Sequence, residues 1–216
     1  MLICIAYSCG NSVENDSQNI IEFVSTGKMN DDVILNKNEY IFENNIVNIE
    51  MSKLNNSEIV EQNTSQLINS ISYKMRKIST KYYLINKGIK GDELESSIHE
   101  LENEQLYFFE LEDIARKDLL STYFENDSEG IQYFSFDIIN NFYLVDGEGD
   151  TLKALYANYV INGKTQLTEK VLLSFPKLKK STKTTLIYRD NVFNNQIVKF
   201  SFPSEIEIEN NYIEIL

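Results

Sequence analysis

Asp146-Gly-Glu-Gly-Asp150 sets three carboxylates at alternate positions of a glycine-bearing segment. Calcium takes such hard oxygen ligands, and glycine lets a backbone wrap around an ion. Asp146, Glu148 and Asp150 are therefore the candidate metal ligands, and calcium is the cofactor they would hold. The EF-hand pattern is absent, because Ala157 stands where that loop's closing Glu would fall. A solvated turn, with glycine supplying the bend and the acids facing water, is the competing and stronger reading. Other catalytic chemistry is scarce. His99 is the only histidine, so a two-histidine metal site or a histidine acid–base pair is excluded, and no G-x-S-x-G motif is present. His99 sits among glutamates on the polar side of its segment, where exposure is the expectation. A carboxylate pair could hydrolyse a glycoside. With 33 acidic residues such pairing is uninformative, and the absence of Trp weighs against a sugar-binding cleft. Lys177, Lys179, Lys180 and Lys183 form the one marked basic cluster. It reads as a solvated loop first and as a phosphate or headgroup contact second.

Both cysteines, Cys4 and Cys9, fall within the first ten residues. An apolar run from Leu2 to Ala6 passes through Tyr7 and Ser8 to Cys9, and Gly10-Asn11-Ser12 follows. Ala6-Tyr7-Ser8-Cys9 resembles the lipobox of a bacterial lipoprotein signal peptide. The resemblance implies that residues 1–8 are the end of a leader beginning upstream of Met1. It also implies that Cys9 carries the lipid (palmitate among its acyl chains) and that 9–32 form a tether. The implied location is the bacterial cell envelope, on the periplasmic side or at the outer surface of the outer membrane. Cleavage before Cys9 leaves a body without free thiols, which suits an oxidising compartment and excludes a cysteine nucleophile or cysteine-based zinc site. The competing reading is a cytosolic protein with a buried strand over Leu2 to Tyr7.

Elsewhere the composition mainly excludes. A formal net charge of −13 over 216 residues disfavours nucleic acid, whose phosphates need clustered Lys and Arg, and it disfavours electrostatic docking on anionic lipid. Hydrophobic residues at 42% suffice for a packed core. No run approaches the ~20 apolar residues of a spanning helix, so attachment would be through a lipid.

The elements that must position these groups read as mostly β, an α+β chain. Residues 33–125 are expected to be strands with one amphipathic helix, and residues 131–216 an antiparallel β-sandwich-like segment, the two together forming one domain or two. Glu39–Glu43 and Ile46–Met51 suggest a hairpin across Asn44-Asn45. Leu67, Ile71, Met75 and Ile78 sit at near-helical spacing, but Leu67, Ile71, Tyr73 and Met75 also share a strand face, and the β-rich Tyr82–Ile85 that follows favours two strands. Leu94, Ile98 and Leu101 mark a helix over 92–104, capped by Asp92. Leu106–Leu111 reads as a buried strand. From Gln132 onward the pattern reads β throughout, with Phe134, Phe136, Ile138, Phe142 and Leu144 inward. Leu152–Ile161 pairs through Asn162-Gly163 with Leu167–Phe175, Thr184–Arg189 and Gln196–Phe202 follow, and 205–209 and 212–216 complete the strands.

The resulting expectation is a lipid-anchored envelope protein that acts by binding or assembly, not as an enzyme, with another envelope protein as partner. Two alternatives stand beside it: an envelope hydrolase using a carboxylate pair, and an acidic cytosolic binding or neutralising protein.

Overall fold

The computed structural model of the chain describes residues 24–29, 33–42, 45–52, 59–160 and 167–205. Cys9 and its surrounding motif, the Asn162-Gly163 turn and the strands expected over 206–216 lie outside these residues.

Two antiparallel sheets carry the architecture. In the larger, β1 (Val24–Met29), β2 (Val33–Phe42), β3 (Asn45–Ser52), β4 (Ile59–Ile68), β5 (Ile71–Ile78) and β6 (Glu104–Asp113) lie side by side in chain order. β10 (Thr168–Pro176) and β9 (Tyr156–Tyr159) then extend it. The smaller sheet runs β12 (Gln196–Phe202), β11 (Thr184–Asp190), β7 (Phe142–Asp146), β8 (Thr151–Lys153). The expected hairpin across Asn44-Asn45 is present as the β2–β3 pair, with Phe42 opposite Asn45. The segment 9–32 contains β1, an edge strand paired with β2. The sandwich draws on both parts of the chain, because β9 and β10 join the sheet built by β1–β6.

Strand alternation decides what lies between the sheets. Ile71, Tyr73 and Met75 of β5, Tyr107, Phe109 and Leu111 of β6, and Val171, Leu173 and Phe175 of β10 point into one buried cluster. From the small sheet come Phe142, Leu144, Leu186, Tyr188, Val198, Phe200 and Phe202. Phe109 bridges the layers, its ring centroid 4.9 Å from Phe142 and 4.8 Å from Tyr188. On the outer face of the large sheet, Ile78, Leu106 and Leu172 form a smaller cluster beneath Tyr83 and Phe108. α1 (Thr80–Asn86), which carries Tyr83, and α2 (Gly91–Glu100) follow β5.

Several sequence expectations give way to helix or to a sheet crossing. Tyr82–Ile85 belongs to α1, not to a strand, and buries Tyr82 and Leu84. The helix expected over 92–104 is α2, ending at Glu100. Its cap position is Lys90, so Asp92 lies inside the first turn, where its charge favours the positive helix end without capping it. Leu67 is exposed and does not share the face of Ile71, because Asn69, at φ +56°, turns the chain between β4 and β5. Where one strand is expected over Leu152–Ile161, the described residues form two: β8 belongs to the small sheet and β9 to the large one, and the Leu155 amide donates to the Ser174 carbonyl where the chain crosses.

The largest departure is at 132–141. After α3 (Leu119–Tyr123), α4 (Asp127–Gln132), capped by the Asn126 side chain on the Glu129 amide, runs on into a π-helical turn over Tyr133–Asp137 and a 3-10 turn over Ile138–Asn141. Helical spacing brings Phe134 and Ile138 to one side, four residues apart, and turns Phe136 outward to 72% exposure. Phe142 and Leu144 are strand residues facing inward, as expected.

Candidate functional site

A cleft of about 340 Å³ opens where β5, β10 and β12 end and β4 and β6 begin. Strand register sets Gln62 and Lys77 side by side on its wall. Gln62 on β4, Lys77 on β5 and Tyr107 on β6 are direct cross-strand neighbours on the inward face. That rung continues the face carrying Tyr73 and Met75, so Lys77 occupies an interior position that alternation reserves for apolar side chains. Its side chain is only 16% exposed. Burial pushes the ammonium pKa below the ordinary lysine value, opposed by Glu205, whose Oε1 lies 3.3 Å from Nζ; the charges of Lys180 and Lys177 push the same way as burial.

Three further lysines line the cleft. Lys81 comes from the first turn of α1, and Lys177 and Lys180 from the segment after β10. Against four lysines the cleft sets Glu104 and Glu205. Both acids are already bonded. Glu104 accepts from the Ser174 hydroxyl, and Glu205 is shared between Lys77 and Lys180, the latter at 3.6 Å. The cleft is thus a cationic enclave in a chain with a net charge of −13. Its other walls are Ile59, Val60, Ile78, Ile98 and Leu178 on the apolar side, and Gln62, Gln105, Ser79 and Thr80 on the polar side. Gln105 is fixed by donating to the Pro176 carbonyl at 2.9 Å. Gln62 is 1% exposed, and its Oε1 is buried with no donor among the described residues. A buried acceptor left unpaired costs roughly 1–3 kcal/mol, so this atom favours any ligand that brings an N–H or O–H.

The residues singled out from the sequence fall elsewhere, with one exception. Asp146 turns its carboxylate onto its own loop, Oδ1 accepting from the Glu148 and Asp150 amides at 2.9 Å each. Glu148 and Asp150 are exposed, and among the described residues no group of three His, Cys, Asp or Glu side chains is arranged to hold a metal ion. The loop's acid thus serves as a turn-forming side chain. His99 is exposed and 3.0 Å from Glu102. The exception is the lysine cluster: Lys177 and Lys180 reach the cleft.

Two other charged groups are structural. On the outer face of the large sheet, Arg76 binds Glu61 through two nitrogens, at 3.0 and 2.6 Å, and Glu110 at 3.0 Å. Lys170 adds a second bond to Glu110 at 2.8 Å, and both cations lie 5.5 Å from the Phe108 ring centre. Burial alone would raise the Glu110 pKa, but Lys170 and Arg76 outweigh it and hold the carboxyl below its ordinary value. Between the sheets, the Tyr159 hydroxyl donates to Glu169, whose carboxyl burial pushes upward.

Lys77 and Gln62 escaped the sequence reading. The signal was available at Lys77: it lies two residues beyond Met75, on the parity of Ile71 and Tyr73. A charge in phase with a buried strand face is a candidate for a site.

No known family model matches this chain, and comparison with curated proteins finds no match.

Proposed function

We propose that this chain is a lipid-anchored envelope protein that works by binding a small anion in the Lys77 cleft, without catalysis. The observation that carries the reading is the inward-facing Lys77. Burying an ammonium is costly unless it is paired, and here a single carboxylate, Glu205, accompanies it among the described residues. A bound anion would supply further compensation. Lys177 and Lys180, more exposed near the cleft, would raise the local concentration of anions despite the overall negative charge. Both glutamates of the cleft are engaged by Ser174 or by lysines, which supports a binding role over acid–base chemistry.

The test is ligand-linked thermal stability of the full-length protein. A ligand that binds only the folded state raises stability by about 2.7 kcal/mol at one hundred times its Kd. Small carboxylates are expected to raise Tm in wild type and in Lys179→Met, and to leave Lys77→Met unchanged. Equal shifts in wild type and Lys77→Met would remove the cleft from the account. The anchor rests on Ala6-Tyr7-Ser8-Cys9. Expressed from the native gene with a palmitate analogue present, wild type is expected to take up label and Cys9→Ala to take up none. Unchanged labelling of Cys9→Ala would end the anchor proposal and leave the cleft untouched.

A further inference from the structure

We propose that the cleft takes an open-chain hydroxylated carboxylate of about six carbons, a sugar acid of the aldonate type. This rests on the small-anion reading above and names the ligand's chemistry. Three features of the cleft each fix one part of the molecule.

Size comes first. About 340 Å³ is near the lower limit of pockets that enclose drug-sized molecules, so the fit is to a ligand of monosaccharide size. Among the described residues no aromatic side chain lines the walls, so a ring that relies on stacking gains little there. Ile78, Ile98 and Leu178 instead offer an aliphatic surface for the C–H side of an extended chain.

The charged end is set by the lysines. Glu205 already shows a carboxylate between two ammonium groups, 3.3 Å from Lys77 Nζ and 3.6 Å from Lys180 Nζ. A ligand carboxylate would replace it there or share the same cations with it. Glu205 lies beyond β12, after Pro203 and Ser204, and its side chain is 27% exposed, so water can receive the displaced carboxylate.

The hydroxyls are required by Gln62. Its Oε1 is a buried acceptor with no donor among the described residues, and it lies beside Lys77 in the same rung. A carboxylate bearing only methylenes leaves that acceptor unpaired, whereas a hydroxyl along the chain supplies the missing donor once the Gln62 amide, which lines the cleft, turns its buried Oε1 toward it. Sites with such an unpaired group discriminate strongly against analogues that lack its partner.

Isothermal titration of the full-length protein separates these elements. D-gluconate, hexanoate, D-glucitol and D-glucitol 6-phosphate share a six-carbon chain and differ in charge and hydroxylation. Gluconate is expected to bind at least tenfold more tightly than hexanoate, and glucitol is expected to give no heat. Gln62→Leu should reduce the gluconate-to-hexanoate ratio to about threefold or less. Lys77→Met should weaken both carboxylates at least tenfold, and Glu205→Gln should tighten both by removing the competing carboxylate. Circular dichroism identifies any variant that has not folded, and Gln62→Leu and Glu205→Gln keep the test open should Lys77→Met be one of them. Equal affinity for gluconate and hexanoate in wild type would refute the hydroxylated ligand while leaving the anion reading intact. Tighter binding of glucitol 6-phosphate than of gluconate would refute the carboxylate. Weaker binding of carboxylates by Glu205→Gln would refute the placement against Lys77. Heat from none of the anions would overturn both proposals together.

Discussion

Tyr73→Phe removes one oxygen from the centre of the sandwich and leaves the ring in place. The Tyr73 hydroxyl donates to Asp190 Oδ2 at 2.6 Å and accepts from Asn195 Nδ2 at 2.6 Å. Tyr73 belongs to the large sheet and Asp190 to the small one, so this bond ties the layers together. Burial, reinforced by the Asp190 charge, holds the Tyr73 hydroxyl pKa well above its ordinary value, so the phenol remains a donor throughout the working range of pH. Asp190 is not stranded by the substitution. It keeps the amides of Val192 at 3.0 Å, Phe193 at 2.7 Å and Asn195 at 3.2 Å. The loss is therefore one hydrogen bond to a charged acceptor, about 1.5–3 kcal/mol, and part of a second at Asn195. The Phe ring retains its contacts with Phe109, Tyr188 and Phe193. A total of about 2–3 kcal/mol is expected. Urea denaturation should show the midpoint falling with the slope unchanged, because the exposed surface is the same. Asn195→Ala should add less to Tyr73→Phe than it costs alone, since the two share a bond. A loss below about 0.5 kcal/mol for Tyr73→Phe, at the level of an ordinary surface change, would refute the clamp.

Two further outcomes follow from burial and charge. Phe142→Ala should cost about 3–5 kcal/mol and Phe136→Ala no more than about 0.5 kcal/mol, because Phe142 is 1% exposed and Phe136 points to water; urea midpoints decide. Lys77 has a folded-state pKa below its ordinary 10.5, so between those two values the unfolded chain binds a proton that the folded chain has released. Stability therefore rises with pH through that window. The wild type should gain on Lys77→Met as pH is raised toward 10.5, and subtracting the variant cancels the tyrosines that titrate nearby; a parallel pH dependence of the two would contradict the buried charge.

How far the sequence speaks depends on whether one residue pattern admits one period. Ile71, Met75 and Ile78 also fit helical spacing, but Tyr73 completes an alternation with Ser72, Lys74 and Arg76 that the strand β5 realises. Phe134, Phe136 and Ile138 are ambiguous, because residues two apart include residues four apart, and a helix needs only the outer pair. The Asn126 cap upstream decides it, and its signal lies outside the apolar window. Tyr82–Ile85 misleads in a different way: aromatic and branched residues favour strands locally, but α1 buries Tyr82 and Leu84, so packing overrides propensity. The cleft is hardest to foresee. Its walls come from segments near 60, 78, 98, 105, 178 and 205: sheet register aligns β4, β5 and β6, while α2 and the segments after β10 and β12 supply the rest. Lys177 and Lys180 are visible as a basic cluster, but their partner in the site, Lys77, is distant in sequence and reads as one more polar residue at a strand end.

The most direct test is to locate the ligand by intermolecular nuclear Overhauser effects between D-gluconate and protein labelled at Ile, Leu and Val methyl groups. Contacts from the gluconate chain to the methyls of Ile78, Ile98 and Leu178, absent in Lys77→Met, are the expected result. Contacts confined to exposed apolar residues away from the cleft, such as Leu67, Ile114 or Ile197, or no contacts at a gluconate concentration that saturates binding, would contradict the account.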